Sequence, residues 1–543
     1  MGSDSFMKKE HWQRSAVMTV FFTLLSVPFL AVLFLMIESA RYQGIRSHVQ
    51  QITDMGNYSL FSEYEKKLLT DFEIFAVDGA YGTGDFSINR VSDRLHGFIR
   101  LNTQPSASGL AALAFDPWKV SSPKARITSY ALLSDHGGEA FYQEAVSYMR
   151  ETAILHVTGK LLNWYEDSLD VKERQETYEK EKLSADREME ELEKEEAQRR
   201  QELEAQDPKG ALSGTADGAA PGTPSENVEA AATAETPEGM QQAEEKKFRN
   251  PFPALRRLAG RDILSITCGG IQISDASVRR AQLSSKRMLK KGTLSIKKKF
   301  GGLENNLIFR EYLLDRLACC LDEPKEGRLK YELEYILNGK TSDRQNLKAT
   351  VKSLLLVREG CNYLTCTSDE AMNAQAGMAA TILIGWTGLP SLVAIMKHAL
   401  LLGWAYAESL MDVRGLMEGG KIPLMKTSLQ WKVSLDRLAD LNEMLDSGGS
   451  SEPDGLSYRG YLRILLNMQG ISDQKKRALD MVECRVCAGA GLSGFKADHC
   501  VVAVKDEVSF LAGPLFSRIT GAFMGLFAAD SGQTVQGGFS YLF

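Results

Sequence analysis

The sequence predicts an α+β protein hung on one N-terminal membrane helix, and three observations predict it. An uncharged stretch runs from Ala16 to Ile37. Segments with apolar residues three and four apart stand beside segments that alternate every two. A charged run followed by a stretch rich in Ala, Gly and Pro divides the chain near its middle. At 543 residues there is room for two or three domains, each able to bury a core. Hydrophobic content of 44% with 25% charged residues is that of an ordinary folded body, which excludes a multi-span membrane protein. A net charge of -6, from nearly balanced acidic and basic sets, argues against nucleic acid as a partner.

As a helix, residues 16–37 reach ~33 Å, enough to cross a hydrocarbon layer of ~30 Å. Pro28 is tolerable mid-span. The run continues through Phe34 to Ile37 into Glu38 without the small-residue exit of a cleaved signal peptide, so an uncleaved anchor is expected. Lys8, Lys9 and Arg14 precede the span, and Arg41 and Arg46 follow it, a slight positive-inside bias. With the long C-terminal body, this places residues 1–15 in the cytoplasm and the rest outside a single-pass cell membrane protein. Beyond the membrane Tyr42, Ile45, Val49, Ile52 and Met55 form one apolar stripe of an amphipathic stalk. That stripe is expected to pack onto the body, and Tyr42, Ile45, Val49 and Ile52 to hold partner subunits.

The stalk and a first lobe occupy residues 38–165. Asp71 to Val77 reads as a strand ending in a turn at Gly79 to Gly84, and Ser134 with Asp135 caps a helix carrying Phe141, Ala145, Met149 and Ala153. Residues 166–206 form a charged helix. Val171, Tyr178, Ala185 and Leu192 recur every seven residues, but the companion positions Arg174, Glu181, Glu188 and Glu195 are charged, so no coiled-coil seam is expected. Pairs such as Glu190 with Lys194 suit a solvated spacer instead. Residues 207–250 have the composition of a disordered linker.

The second lobe spans 251–543. There Leu329, Tyr331, Leu333 and Tyr335 alternate with Lys330, Glu332 and Glu334, the pattern of a half-exposed strand that turns at Asn338-Gly339. Ser342 and Gln345 form a capping box for a helix carrying Leu347, Val351, Leu354 and Leu355. Ala376 to Met396 is a second uncharged stretch. Weighed against a membrane span, it reads as a buried helical hairpin broken at Thr387-Gly388-Leu389-Pro390. From Val501 onward strands are expected.

Few residues point to chemistry. Of eight cysteines, Cys484 and Cys487 with His499 and Cys500 faintly suggest zinc, but a second CxxC is missing, and buried thiols or one disulfide fit better. Glu408 and Asp412 share a helix face, near His398, Trp404 and Arg414, as an ion-pair cluster more than a catalytic or cation site. Lys290, Lys291, Lys297, Lys298 and Lys299 are a basic patch, with Lys286 and Arg287 beside them. The patch suits anionic headgroups or acidic envelope polymers as well as it suits a solvated loop. Asp135-His136-Gly137-Gly138-Glu139 is a turn and cap. Gly82-Thr83-Gly84 lacks the context of a dinucleotide fold, and GxxxxGK[ST], HExxH and GxSxG do not occur. No catalytic residue, cofactor or metal is assigned, and the expected protein is not an enzyme.

Arg14, the long apolar run with central Pro28, and Glu38-Ser39-Ala40-Arg41 opening an amphipathic helix together resemble the TadE-like pseudopilins. These are minor components of the bacterial tight-adherence pilus, and the likeness covers residues 14 to 60. Tyr331 to Leu337, Ala407 to Arg414 and Tyr458 to Leu462 are similar to a bacterial membrane-anchored family of unknown function associated with such systems. The resemblance implies a structural or assembly role among envelope or pilus-apparatus proteins; the alternative is a free-standing envelope binding or sensor module. Phe21 and Phe22 stand where pilins keep a glutamate, so processing and entry into a fibre stay open.

Overall fold

The computed structural model describes residues 3–103, 118, 120–152, 158–206, 248–296, 298–489, 492–513 and 533–542. Among the described residues helices dominate, with one small antiparallel sheet. In chain order the elements begin with α1 (Ser3–Phe61), α2 (Lys66–Phe72), β1 (Val77–Asp78), α3 (Ile88–Thr103), β2 (Val120–Leu132), α4 (Asp135–Thr152) and α5 (Thr158–Gln206). Then come α6 (Phe252–Ala259), α7 (Ile263–Thr267), α8 (Gly302–Arg316), α9 (Glu332–Asn338), α10 (Asp343–Ser368), α11 (Glu370–Ile384) and α12 (Pro390–Met417). The last are α13 (Leu441–Asp446), α14 (Tyr458–Asn467), α15 (Ile471–Val486), β3 (Cys500–Ala512) and β4 (Gln533–Leu542). Contacts divide the chain into two compact units. The first joins residues 1–165, 274–347 and 469–543; the second joins 166–273 and 348–468. Residues 251–543, expected as one lobe, thus contribute to both. The linker expected at 207–250 lies, from 207 to 247, outside the described residues.

In the first unit, α1 is the one helix among the described residues long and apolar enough to cross a membrane. Its first half leaves Val17, Leu24, Phe29 and Leu35 exposed. Past Glu38 the same helix becomes a core element. Ile45, Val49, Ile52, Leu60 and Phe61 pack with Val91, Leu95 and Ile99 of α3 and with Val504, Val508 and Phe510 of β3. Met55, expected in the stripe, is exposed. Gly56 takes the inward position instead, because a Cβ there would stand 2.6 Å from Ile99 of α3.

Strand β3 pairs antiparallel with β1, β2 and β4, and its register with β2 runs from Val120 opposite Ala512 to Leu132 opposite Val501. The strands expected after Val501 are therefore present. A second cluster joins α4 to α8, where Phe141 meets Phe309 and Tyr312 edge-on at 5.9 and 5.8 Å. The expected turns at Gly79 to Gly84 and at Asp135 to Glu139 hold. Asp78 accepts the Ala80 N–H at 2.9 Å, and His136, Gly137 and Gly138 all take positive φ.

Two expected strands are helical. Asp71 and Phe72 finish α2, which Glu73 ends in a left-handed C-cap, leaving only Val77 and Asp78 to pair. Residues Glu332 to Asn338 form α9, and Asn338-Gly339 is its C-terminal stop, with Gly339 at φ 62°. The charges at Glu332 and Glu334 suggested a solvent face, but both are buried and held. Glu332 pairs with Arg485 and accepts the Ala318 N–H; Glu334 accepts the Cys320 N–H at 2.9 Å.

Candidate functional site

In the second unit four ionisable side chains, Arg358, Glu408, Asp412 and Lys426, meet away from solvent. On α10 the capping serine Ser342 accepts the Gln345 N–H at 3.3 Å, and Val351, Leu354 and Val357 then bury one face. Arg358 continues that buried surface, and on α12 Glu408 and Asp412 sit one turn apart; all three are fully buried. Arg358 donates from Nε and Nη2 to Asp412 at 3.0 and 2.9 Å, and from Nη1 to the Pro423 and Leu424 carbonyls at 2.9 and 2.8 Å. It also donates to Asn362 Oδ1 at 2.8 Å and to the Tyr461 hydroxyl at 2.9 Å. The loop that follows α12 returns Lys426, whose ammonium bridges Asp412 Oδ1 at 2.6 Å and Glu408. Glu408 takes in addition the backbone N–H groups of Lys432 and Val433, the latter at 2.9 Å.

Two cations therefore face two carboxylates. Burial opposes ionisation of Asp412, but Arg358 and Lys426 outweigh it and hold that carboxyl below its usual range. Glu408 is raised, by burial first and by its neighbour Asp412 second. The arrangement pins the backbone from Pro423 to Val433 onto a helix pair, which is the work of an ion cluster serving structure. Sequence reasoning found the carboxylates and missed their cations. An arginine among Leu354, Val357 and Cys361 was a readable signal; for Lys426 there was none.

Beside this cluster α5 lies along α10, and the spacer expected there is a packed helix over its first half. Val171, Tyr178 and Ala185, the seven-residue series, are buried. Gly360 permits the approach, since a Cβ on it would stand 3.1 Å from the Arg174 carbonyl oxygen. Tyr178 meets Tyr363 edge-on at 5.6 Å. Between the helices opens a cavity of about 560 Å³ with Asp170, Glu173 and Glu181 on α5 and Tyr363 and Thr367 on α10. The Tyr363 hydroxyl lies 2.9 Å from His398 Nε2, and Glu181 lies 3.8 Å from the same nitrogen. Farther along α5, Glu190 and Lys194 form the expected surface pair at 2.8 Å.

The other predicted residues are not brought together. Ile45, Val49 and Ile52 are buried in the chain's own core, with Tyr42 packed against it, so this face is closed to a partner. Lys290, Lys291, Lys298 and Lys299 are exposed along an irregular strap of the first unit; Lys297 lies outside the described residues. The strap is fixed by its backbone: Thr293 and Leu294 donate to the Tyr130 carbonyl, both at 2.8 Å, and Lys299 and Phe300 to Gln143 at 3.0 and 2.7 Å. Cys484 and Cys500 are buried and Cys487 half-buried; burial pushes the thiols of Cys484 and Cys487 up to about 12 and about 11. Among the described residues no three metal-ligating side chains converge.

No curated protein and no solved structure matches the chain. One family model does, over residues 241–512, and it carries the description of a family of unknown function, DUF5702. Those residues include α8 to α15 with the buried ion cluster, most of β3, and the basic strap. With half of its length matched in this way, the chain belongs to the DUF5702 family.

Proposed function

We propose that the protein is a non-enzymatic, membrane-anchored structural or assembly component of a cell-envelope apparatus of the tight-adherence type. Its N-terminus is cytoplasmic, and both compact units lie outside the membrane. The observation that carries this reading is α1, one helix whose first half is exposed and apolar and whose second half is a core element. The resemblance of residues 14 to 60 to TadE-like pseudopilins points the same way. At the junction Glu38 and Arg41 are buried and paired at 2.7 Å, and Arg41 donates to the carbonyls of Trp118 and Gly513 at 3.0 and 2.8 Å. A helix clamped there transmits the position of the membrane to the body. Since the face of Ile45, Val49 and Ile52 is closed, partner helices would meet the exposed apolar half.

The test is a photo-crosslinking residue placed in cells at Leu25, Phe29 or Val32, all exposed on α1. Discrete adducts with other membrane proteins of the envelope are expected. Adducts with lipid alone at all three positions would remove the assembly role. Orientation is read by Leu429→Cys, an exposed position, with Cys487→Ser to silence the one half-buried native thiol. An impermeant thiol reagent on whole cells should label it; protection would reverse the topology.

A second reading, an envelope binding module, draws on the exposed lysines of the strap. They would engage an acidic envelope polymer, and a charge-reversed strap that still bound such a polymer would dismiss it.

A further inference from the structure

The stretch from Ala376 to Met396 folds as expected into a helical hairpin, but beyond the buried Ala376, Ala379 and Ala380 it is not covered. From Thr381 to Ala399 no described residue is fully covered. At the tip, Met378 is 61% exposed, Ile382 66%, Trp386 86% and Leu389 39%. No charged residue occurs between Glu370 and Lys397. The bend is built for a projection: Gly388 takes a left-handed φ of 68°, and Pro390 opens α12. A contiguous apolar surface of this kind on a soluble unit marks a contact with something other than water.

We propose that this tip dips into the interfacial layer of a lipid bilayer without crossing it. Dimensions set the depth. The apolar arms, Met378 to Ile384 and Pro390 to Met396, each rise ~10 Å as helix, about the depth of the headgroup and acyl boundary and far short of the ~30 Å core. Exposure decides between lipid and protein as the occupant. A second copy or a protein partner covers one face, whereas here α11 beyond Ala380 and the bend are open and the apolar side chains of α12 from Leu392 to Met396 are none of them fully covered, as a surrounding solvent requires. Trp386 at the end and Lys397 past the arms are the residue types that settle at the interface. The chain also carries its own candidate membrane helix, so the tip works at the high effective concentration of a tethered group. The inference rests on that anchor and not on the pilus reading.

The experiment uses the full chain in vesicles of phosphatidylethanolamine and phosphatidylglycerol. Nitroxide labels are attached at Ile382→Cys, at Trp386→Cys and, as the aqueous control, at Leu429→Cys, each with Cys487→Ser. Collision of the label with dissolved oxygen and with a water-soluble nickel chelate is measured. The inference expects oxygen to dominate at 382 and 386 and nickel to dominate at 429. Free access of nickel to the tip would overturn it. So would exclusion of both relaxers with spin–spin broadening that disappears on dilution with unlabelled chain, the result for a second copy. All three positions are exposed, so the labels leave the packing intact.

Discussion

Replacing Lys426 by Met should destabilise the second unit strongly, and by an amount that depends on pH. Among the described residues Lys426 is the only side-chain cation on Glu408, whereas Asp412 keeps Arg358 and Asn362. Its removal leaves one uncompensated carboxylate, Glu408, supported only by the N–H groups of Lys432 and Val433. Breaking one side of a buried ion pair costs about 3–5 kcal/mol. Glu408 can escape by taking up a proton, and its carboxyl already stands above its usual range. Without Lys426 that folded-state value rises further above the unfolded one. Stability gained by proton uptake is complete below the unfolded value and is lost as pH rises through the folded value. The deficit should therefore be full near pH 8 and shrink toward pH 5.

Urea unfolding of the full chain in detergent measures it, with tryptophan fluorescence as the signal. Trp404 donates to the Val433 carbonyl at 2.6 Å and stands edge-on to Trp431 at 5.3 Å, so it reports the loop that Lys426 holds. Lys426→Met combined with Glu408→Gln removes both charges and should recover most of the loss. Lys194→Met, which breaks the exposed pair with Glu190, should change nothing measurable. A cost below about 1 kcal/mol for Lys426→Met, or one independent of pH, would refute a charge-balanced cluster held apart from water.

Gly360→Leu should force α5 away from α10, at a cost of about 1–3 kcal/mol, because its Cβ would meet Arg174 and Gln175 backbone. Amide exchange over residues 168 to 185 should accelerate, and unchanged protection there would show that the close approach is dispensable. In the first unit, burial pushes the Glu144 carboxyl up to about 7, against Lys299, which lowers it, and with Glu151, which raises it. Its contribution is full below the unfolded carboxyl range and disappears as pH passes 7, each tenfold gain in proton affinity on folding being worth about 1.4 kcal/mol. Pulse proteolysis at pH 5 and pH 9 should find that Glu144→Gln flattens this slope; an unaltered slope would place the titration elsewhere.

What was legible in the sequence is what depends on local composition. The long apolar helix shows as an uncharged run, α10 through Ser342 and its apolar spacing, β3 through the apolar, Gly-rich and aromatic composition from Val501 onward, and the hairpin break through Gly388 and Pro390. Met55 failed because periodicity names a stripe but not the neighbour that fills it, and Ile99 lies more than forty residues away on α3. The membership of the two units was not legible for a related reason. Residues 274–347 and 469–543 join the first unit through pairings at long separation, such as the register of β2 with β3, which no local pattern announces.

The helix α9 carries the more general reason. Alternation predicts a strand only if the charged members face water, and that premise is hidden in every such reading. Glu332 and Glu334 break it because Arg485 and the Ala318 N–H hold Glu332 inside the fold and the Cys320 N–H binds one oxygen of Glu334 there. Glu408 and Asp412 do the same with Lys426 and Arg358, and Val171 to Ala185 reverse the case, a polar-looking helix with one buried stripe. In each instance the deciding partner lies fourteen or more residues away, outside the window in which a periodic pattern is read. A buried carboxylate costs several kcal/mol unless it is paired, so the chain can keep these charges inside only by fixing both partners at once. That couples distant segments tightly within each unit, and it is why the charge pattern that misled the secondary-structure reading is the pattern that holds these units together.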